Sequence, residues 1–191
     1  MGEEVDVIDP AGFKLRVRLD AVSTERVTGI IVDEQPHRPE PTAKVTIAIA
    51  NLPAPALELV LSRCTEAGAH AFYVFQADRS VARGSKPERW MTICREAAML
   101  AGRLRVPEVT RAASLDAVLA RATDPVMLVR GAESPLSSVA EPRDLTLLVG
   151  PEGGWSDREL ALVGRKADLG PRNLRADTAA LVALAIALAS R

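Results

Sequence analysis

The stretch Leu145-Thr146-Leu147-Leu148-Val149-Gly150-Pro151-Glu152-Gly153-Gly154-Trp155 runs an apolar segment straight into three glycines and a proline. A short, nearly unbroken apolar run is the pattern of a strand covered on both faces, as in a parallel sheet flanked by helices. Glycines at its end permit positive φ and bring bare backbone amides within reach of a ligand. Directly afterwards Ser156-x-x-Glu159 reads as a capping box, with Trp155 placed to staple onto Leu160 across the first turn of a helix. Strand, glycine loop and capped helix in that order predict an α/β fold with a ligand beyond the carboxyl end of a strand.

The same texture extends in both directions. Strands are predicted at 45–50, 72–75, 126–129 and 145–149, each nearly continuously apolar. One helix follows Pro53 and Pro55 and stops at Gly68; a second runs from the capping box Ser85-x-x-Glu88 to Gly102; a third starts at Ser114. The last helix, 177–190, is apolar nearly all round, which predicts burial in the core or at a dimer interface. Strands alternating with helices give a parallel sheet. Residues 3–33 differ. Val5 to Ile8, a turn at Asp9-Pro10-Ala11-Gly12, and alternating runs at 13–19 and 26–32 read as three β-strands. The proline-rich 34–41 segment reads as a linker, so the expected organisation is a small β unit over 1–40 and an α/β domain over 41–191.

At 191 residues and 48% hydrophobic, the chain has room for one good-sized domain and a small appendage. Its net charge of −1 excludes a globally basic nucleic-acid binder, but the charge is uneven. Between Arg79 and Arg111 eight basic residues meet three acidic ones, leaving +5 there and −6 elsewhere. Either a phosphate-facing patch or a solvated helix face produces that asymmetry. Cys64 and Cys94 have no pairing or metal-ligand spacing and read as buried thiols of a reducing compartment, while His37 and His70 lack ligand partners nearby. No metal site is expected. The longest apolar run, 179–189, is too short to cross a bilayer and no signal peptide opens the chain, so a cytoplasmic protein without membrane contact is expected.

About twenty residues beyond the first loop comes a second, Leu169-Gly170-Pro171-Arg172-Asn173-Leu174-Arg175-Ala176-Asp177-Thr178-Ala179. Two shaped loops around one short helix suggest a single site. Neither the dinucleotide fingerprint nor the phosphate-loop motif is present. The first loop therefore suits a neutral or weakly charged ligand read by backbone groups, such as an adenosine moiety, or else it is only a tight turn into a capped helix.

The two loops together resemble the SPOUT methyltransferases and, within them, the RsmE family. That family has a Gly-Pro-Glu-Gly-Gly loop and a later Leu-Gly segment leading to Leu-Arg-x-Glu-Thr-Ala. Residues 150–154 match it fully; the second loop departs at Asp177, where glutamate is usual, and at Asn173, where a branched apolar residue is usual. Asp78-Arg79-Ser80-Val81, Glu88-Arg89-Trp90, Glu96-Ala97-Ala98 and Arg103-Leu104-Arg105-Val106-Pro107 match a further family segment. Leu100 replaces its usual glutamine, and Arg63-Cys64-Thr65-Glu66-Ala67-Gly68 departs from the usual Lys-x-x-Glu-Leu-Gly.

The resemblance implies S-adenosylmethionine (SAM)-dependent methylation of N3 of uridine 1498 of 16S rRNA in the 30S subunit. It implies a C-terminal trefoil knot, a homodimer, and an N-terminal PUA-like β domain whose further strands would precede Gly2, so that a truncated form of that domain is expected here. Leu148, Gly150, Pro151, Gly153, Gly154, Leu169, Gly170, Leu174 and Thr178 would bind the cofactor, with helix capping as the alternative role of Thr178. Arg175 would touch the acceptor, and Glu152 would accept a proton or orient Arg175, unless the two simply form an ion pair between loops. RNA would meet Arg79, Arg83, Arg89, Arg103, Arg105 and Arg172. Two rivals share the scaffold: a non-catalytic RNA-binding or assembly protein, and a methyltransferase acting on another RNA.

Overall fold

The computed structural model describes residues 2–82, 87–139 and 144–189; Arg83 and the Ser85 end of the second helix's expected capping box lie outside them. Strands β1 (Glu4–Asp9), β2 (Phe13–Val22) and β3 (Val27–Pro36) form an antiparallel meander. The third strand reaches beyond its expected end at Val32 and into the predicted linker. Glu34, Gln35 and Pro36 still pair, opposite Leu15, Lys14 and Phe13. Proline is tolerated at the end of an edge strand, where no ladder donor is needed.

The remainder is one parallel sheet. Strands β4 (Val45–Ala50), β5 (Ala71–Phe75), β6 (Glu108–Ala112), β7 (Pro125–Leu128), β8 (Leu145–Val149) and β9 (Lys166–Ala167) lie in the order β6-β5-β4-β8-β7-β9. Every pair in it is parallel. The four strands expected from the sequence are its inner members. The two extra ones are edges: β6 holds only two apolar residues, Val109 and Ala112, and β9 has only two residues.

Helices α1 (Ala54–Glu66), α2 (Pro87–Leu100), α3 (Leu115–Leu119), α4 (Leu136–Val139), α5 (Asp157–Leu162) and α6 (Ala176–Ala189) complete the fold. Alternate strand residues point to opposite faces. Ile47, Ile49, Phe72 and Leu147 therefore join α1, α2 and α6 in one core, while Ala48, Phe75, Met127 and Leu148 join Leu115, Val118 and Trp155 in the other. Helix α6 packs on α1, α4, β4 and β8. Its buried side is a row of small residues, Ala180, Ala183 and Ala187 beside Leu184, which lets it lie close over the sheet's centre. Burial in the core between α1 and the sheet raises the Cys64 thiol to about 12, so it is an inert core residue at neutral pH.

The meander is tied to the sheet through residues 37–40. His37 places Nε2 2.6 Å from the carbonyl oxygen of Gly102. Arg103, expected on an RNA-facing surface, is instead buried: its guanidinium pairs with Glu40 at 2.6 Å and donates to the carbonyls of Thr65 and Ala69, each at 2.9 Å. A cation with its donors directed at internal acceptors cannot also hold phosphate, so Arg103 is removed from the nucleic-acid set. Burial works against the charged form of Glu40, yet the Arg103 guanidinium and the amides of Leu104 and Arg105 outweigh it and hold the carboxyl below its ordinary value. A lowered carboxylate pKa means stability present above the unfolded value and lost as pH falls through the folded one. Glu40→Ala should therefore cost about 3 kcal/mol near neutrality by stranding a buried cation. In denaturant titrations the gap to the parent should narrow as pH drops below Glu40's ordinary value of 4.5.

Candidate active site

Strand β8 delivers the chain to Gly150 at the carboxyl edge of the sheet. A Cβ on Gly150 would lie 2.9 Å from Cε2 of Trp155, so the indole rests directly on the glycine. The same indole stacks on Phe75 with centroids 6.2 Å apart and planes 8° apart, and its Nε1 donates to the Leu128 carbonyl at 2.9 Å. Leu160 also packs against this cluster, as the staple predicted. The turn closes through the Gly154 amide, which donates to the Pro151 carbonyl at 2.9 Å, with Gly154 at φ +69°. Only glycine holds that left-handed conformation without cost.

Helix α5 then starts on the predicted capping box. Ser156 Oγ accepts from the Glu159 amide, and Glu159 Oε2 accepts from the Ser156 amide. Glu159 is fully buried, and its other oxygen accepts from the Asp78 amide at 3.1 Å. Asp78 returns the contact by accepting from Ser156 Oγ at 2.5 Å, and Arg158 bridges Asp78 to Asp116. The Arg158 and Ser156 hydrogen bonds hold the Asp78 carboxyl below its ordinary range. The loop after β5 is thereby locked to the helix that follows the glycines.

Between the ends of β7, β8 and β9 lies a pocket of about 530 Å³. Five of the residues named from the sequence, Gly150, Pro151, Gly154, Leu169 and Leu174, line it together with Glu152, Arg172 and Arg175. Four expected residues fall outside it. Leu148 is fully buried in mid-strand, with its side chain in the core beside Met127 and Trp155. Gly153 lines a neighbouring groove, and Gly170 is not part of the pocket wall. Thr178 is exposed and spends both its amide and its hydroxyl on Asp177 Oδ1. Leu128, Val129 and Arg130 add a wall that the sequence reading missed, because it comes from β7, far from either glycine loop in the chain. Arg175 Nη2 stands 4.0 Å from Glu152 Oε1, with the side chains 74% and 59% exposed. So loose and wet a pair contributes little to stability and leaves both groups available.

The neighbouring groove, about 940 Å³, lies on the other side of the glycine loop and shares Pro151 and Glu152 with the first pocket. Asn51, Leu52, Leu57 and Trp90 line it, with Arg79 and Arg89 among its polar groups. Gly153 permits this arrangement: a Cβ there would press on Arg79 Cβ and carbonyl oxygen, each at 3.2 Å. Arg79 in turn reaches the Gly153 carbonyl at 3.4 Å, and Arg89 makes a two-pronged pair with Glu58. Arg105 and Arg172 are exposed. Among the described residues no cluster of metal ligands occurs, and no helix is long and apolar enough to cross a membrane.

A family model for an RNA methyltransferase domain matches residues 38–188. The ribosomal RNA small subunit methyltransferase E of Bacillus subtilis is 32% identical over 205 residues, spanning 96% of this chain and 80% of that protein. The chain belongs to the RsmE family of RNA methyltransferases. A hypothetical protein of known crystal structure is 32% identical with a TM-score of 0.88, over 99% of this chain and 84% of its own. A Legionella pneumophila structure in complex with the bound cofactor SAM is 25% identical with a TM-score of 0.82, over 97% of this chain and 82% of its own. The parallel α/β sheet described above is thus a fold shared with these two solved structures.

Gly150→Ala should drive a methyl group into the Trp155 ring and lose about 1–3 kcal/mol of stability, as overpacking does. Near-ultraviolet circular dichroism should show the Trp155 environment altered, while far-ultraviolet signal at low temperature stays as in the parent.

Proposed function

We propose that this RsmE-family chain transfers the methyl group of SAM to N3 of uridine 1498 of 16S rRNA within the 30S subunit. The observation that carries the reading is the pocket at the carboxyl edge, built from both family loops, Gly150 to Gly154 and Leu169 to Arg175. Its residues fit the cofactor. A volume of about 530 Å³ suits a nucleoside with an amino-acid tail, and a Cβ added to Gly154 would meet no protein atom within 4 Å, leaving a cradle for a ligand. The leucines Leu128, Leu169 and Leu174 offer apolar contact to an adenine ring, while backbone groups of the glycine loop offer polar ones.

When bound, the cofactor supplies a methyl group on a sulfonium, and the carbon–sulfur electron pair stays on sulfur as uracil N3 takes the methyl. The chain's own task is to hold the acceptor base in line and to manage one proton and one developing negative charge. Arg175 is placed at the mouth of the pocket to stabilise the uracil anion formed when the N3 proton leaves. Glu152, 4.0 Å away on the facing loop, either receives that proton or orients Arg175. Thr178, turned to Asp177, has no part in this scheme.

The same reading includes a unit boundary near residue 40, with a PUA-like β unit before it and the SPOUT domain after it. It also includes a C-terminal trefoil knot, a homodimer and a cytoplasmic location. The packing of α6 over β4 and β8 supports a chain end that returns to the middle of the sheet. The rim of exposed arginines, Arg79, Arg89, Arg105 and Arg172, supports contact with RNA.

Labelled SAM incubated with small subunits lacking the mark should yield a reverse-transcription stop at the one uridine, since N3 methylation blocks its pairing edge. Arg175→Ala should leave folding and cofactor affinity close to the parent and lower turnover by about a hundredfold or more. Turnover equal to the parent's would remove Arg175 from the acceptor site.

A further inference from the structure

The N-terminal meander is open on one face and along one edge. Its register sets Val5, Val17 and Ile31 in a row across the three strands, with Val7 beside Leu15 and Leu19 beside Gly29. Six apolar side chains therefore share a face, and none of them is buried. Strand β3 is an outer strand with all ten residues exposed, among them Val27 at 58%, Ile30 at 59% and Ile31 at 53%. Long edges are ordinarily blunted by lysine or proline. This one carries no lysine, and its proline comes last, at Pro36. We infer that this edge and face form a docking surface for an extended, basic segment of a protein partner, which adds to β3 as a fourth strand.

Charge chooses the occupant. Residues 1–40 hold nine acidic side chains against five basic ones, a net −4. Three of the five cations are already engaged: Lys14 and Arg16 pair with Asp6, and Arg18 pairs with Glu4. Asp20, Asp33 and Glu34 have no ion-pair partner among the described residues. RNA is repelled by such a surface, because affinity for phosphate is carried by cations. A second copy would set one net −4 unit against another. A segment alternating apolar and basic residues meets both features of the surface. Its backbone pairs along Val27 to Ile31, ahead of the bulge at Val32, and its apolar side chains extend the row that ends at Ile31. Its cations fall on the other face, where Arg16 lies opposite Asp33. This surface belongs to the N-terminal unit and is independent of the methyl-transfer reading.

The probe is a synthetic octapeptide of alternating lysine and valine, added to the full chain without SAM or RNA. It should bind about tenfold or more tightly than the matching glutamate-valine peptide. Methylating alternate backbone amides keeps its charge but blocks strand pairing, and should weaken it by about tenfold or more. Hydrogen exchange at 27–31 should slow when the unmethylated peptide binds. Asp33→Lys combined with Glu34→Lys, both at exposed positions, should keep the far-ultraviolet circular dichroism of the parent and reverse the preference between the two peptides. Equal affinity for methylated and unmethylated peptide, or unchanged exchange at 27–31, overturns strand addition. Protection of 27–31 by oligouridylate instead of peptide would give the surface to RNA and overturn the proposal. A dimer abolished by Ile31→Lys, in sedimentation of the peptide-free chain, would give it to a second copy and do the same. Methyl transfer enters none of these readouts, so it stands or falls separately.

Discussion

The indole of Trp155 is the piece on which the site depends. One ring lies on Gly150 at the end of β8, stacks on Phe75 at the end of β5, and hydrogen-bonds Leu128 at the end of β7. Three strand ends are thereby fixed relative to one another by a single rigid side chain with few rotamers to lose. A glycine at 150 is what allows the ring so near the backbone. The loop it anchors is not held by its own hydrogen bonds, which amount to one short turn between Pro151 and Gly154. It is held at its root by the ring and at its far end by the cap of α5.

That far end shows how a local signal acquires a tertiary use. A capping box satisfies orphan amides at the start of a helix. Here the box glutamate is also the buried acceptor for Asp78, and the box serine is also a donor to it. The segment carrying Arg79 is therefore registered against the glycine loop to within a hydrogen bond. The pocket and the neighbouring groove are set by the same few contacts, so neither can be reshaped without the other.

Legibility in the sequence followed the range of the interactions involved. The four inner strands are continuous apolar runs, and the ends of α1, α3 and α5 carry local markers in Pro53, Ser114 and Ser156, all of which act over a few residues. The edge strand Glu108–Ala112 hides because an edge needs only one apolar face, and Lys166–Ala167 is too short to show a period. Within the site, the glycine loop and Leu169, Leu174 and Arg175 were legible as a motif. Leu128 to Arg130 were not, since their place in the wall comes from β7 lying beside β8. Arg103 misled for a related reason: a basic stretch reads as surface, and nothing in its own segment reveals that Glu40 waits across the fold.

The pairing of β4 with β8 sets Val45 opposite Leu145, at the middle of the sheet. The first of the central strands to be synthesised must therefore wait through a hundred residues for the last. Closure over so long a span is slow, and until it happens β4 lacks its neighbour on one side. Neither glycine loop has a place to sit before then, so no ligand can rescue a nascent or truncated chain. The exposure of apolar strand surface is therefore greatest before β8 has joined β4.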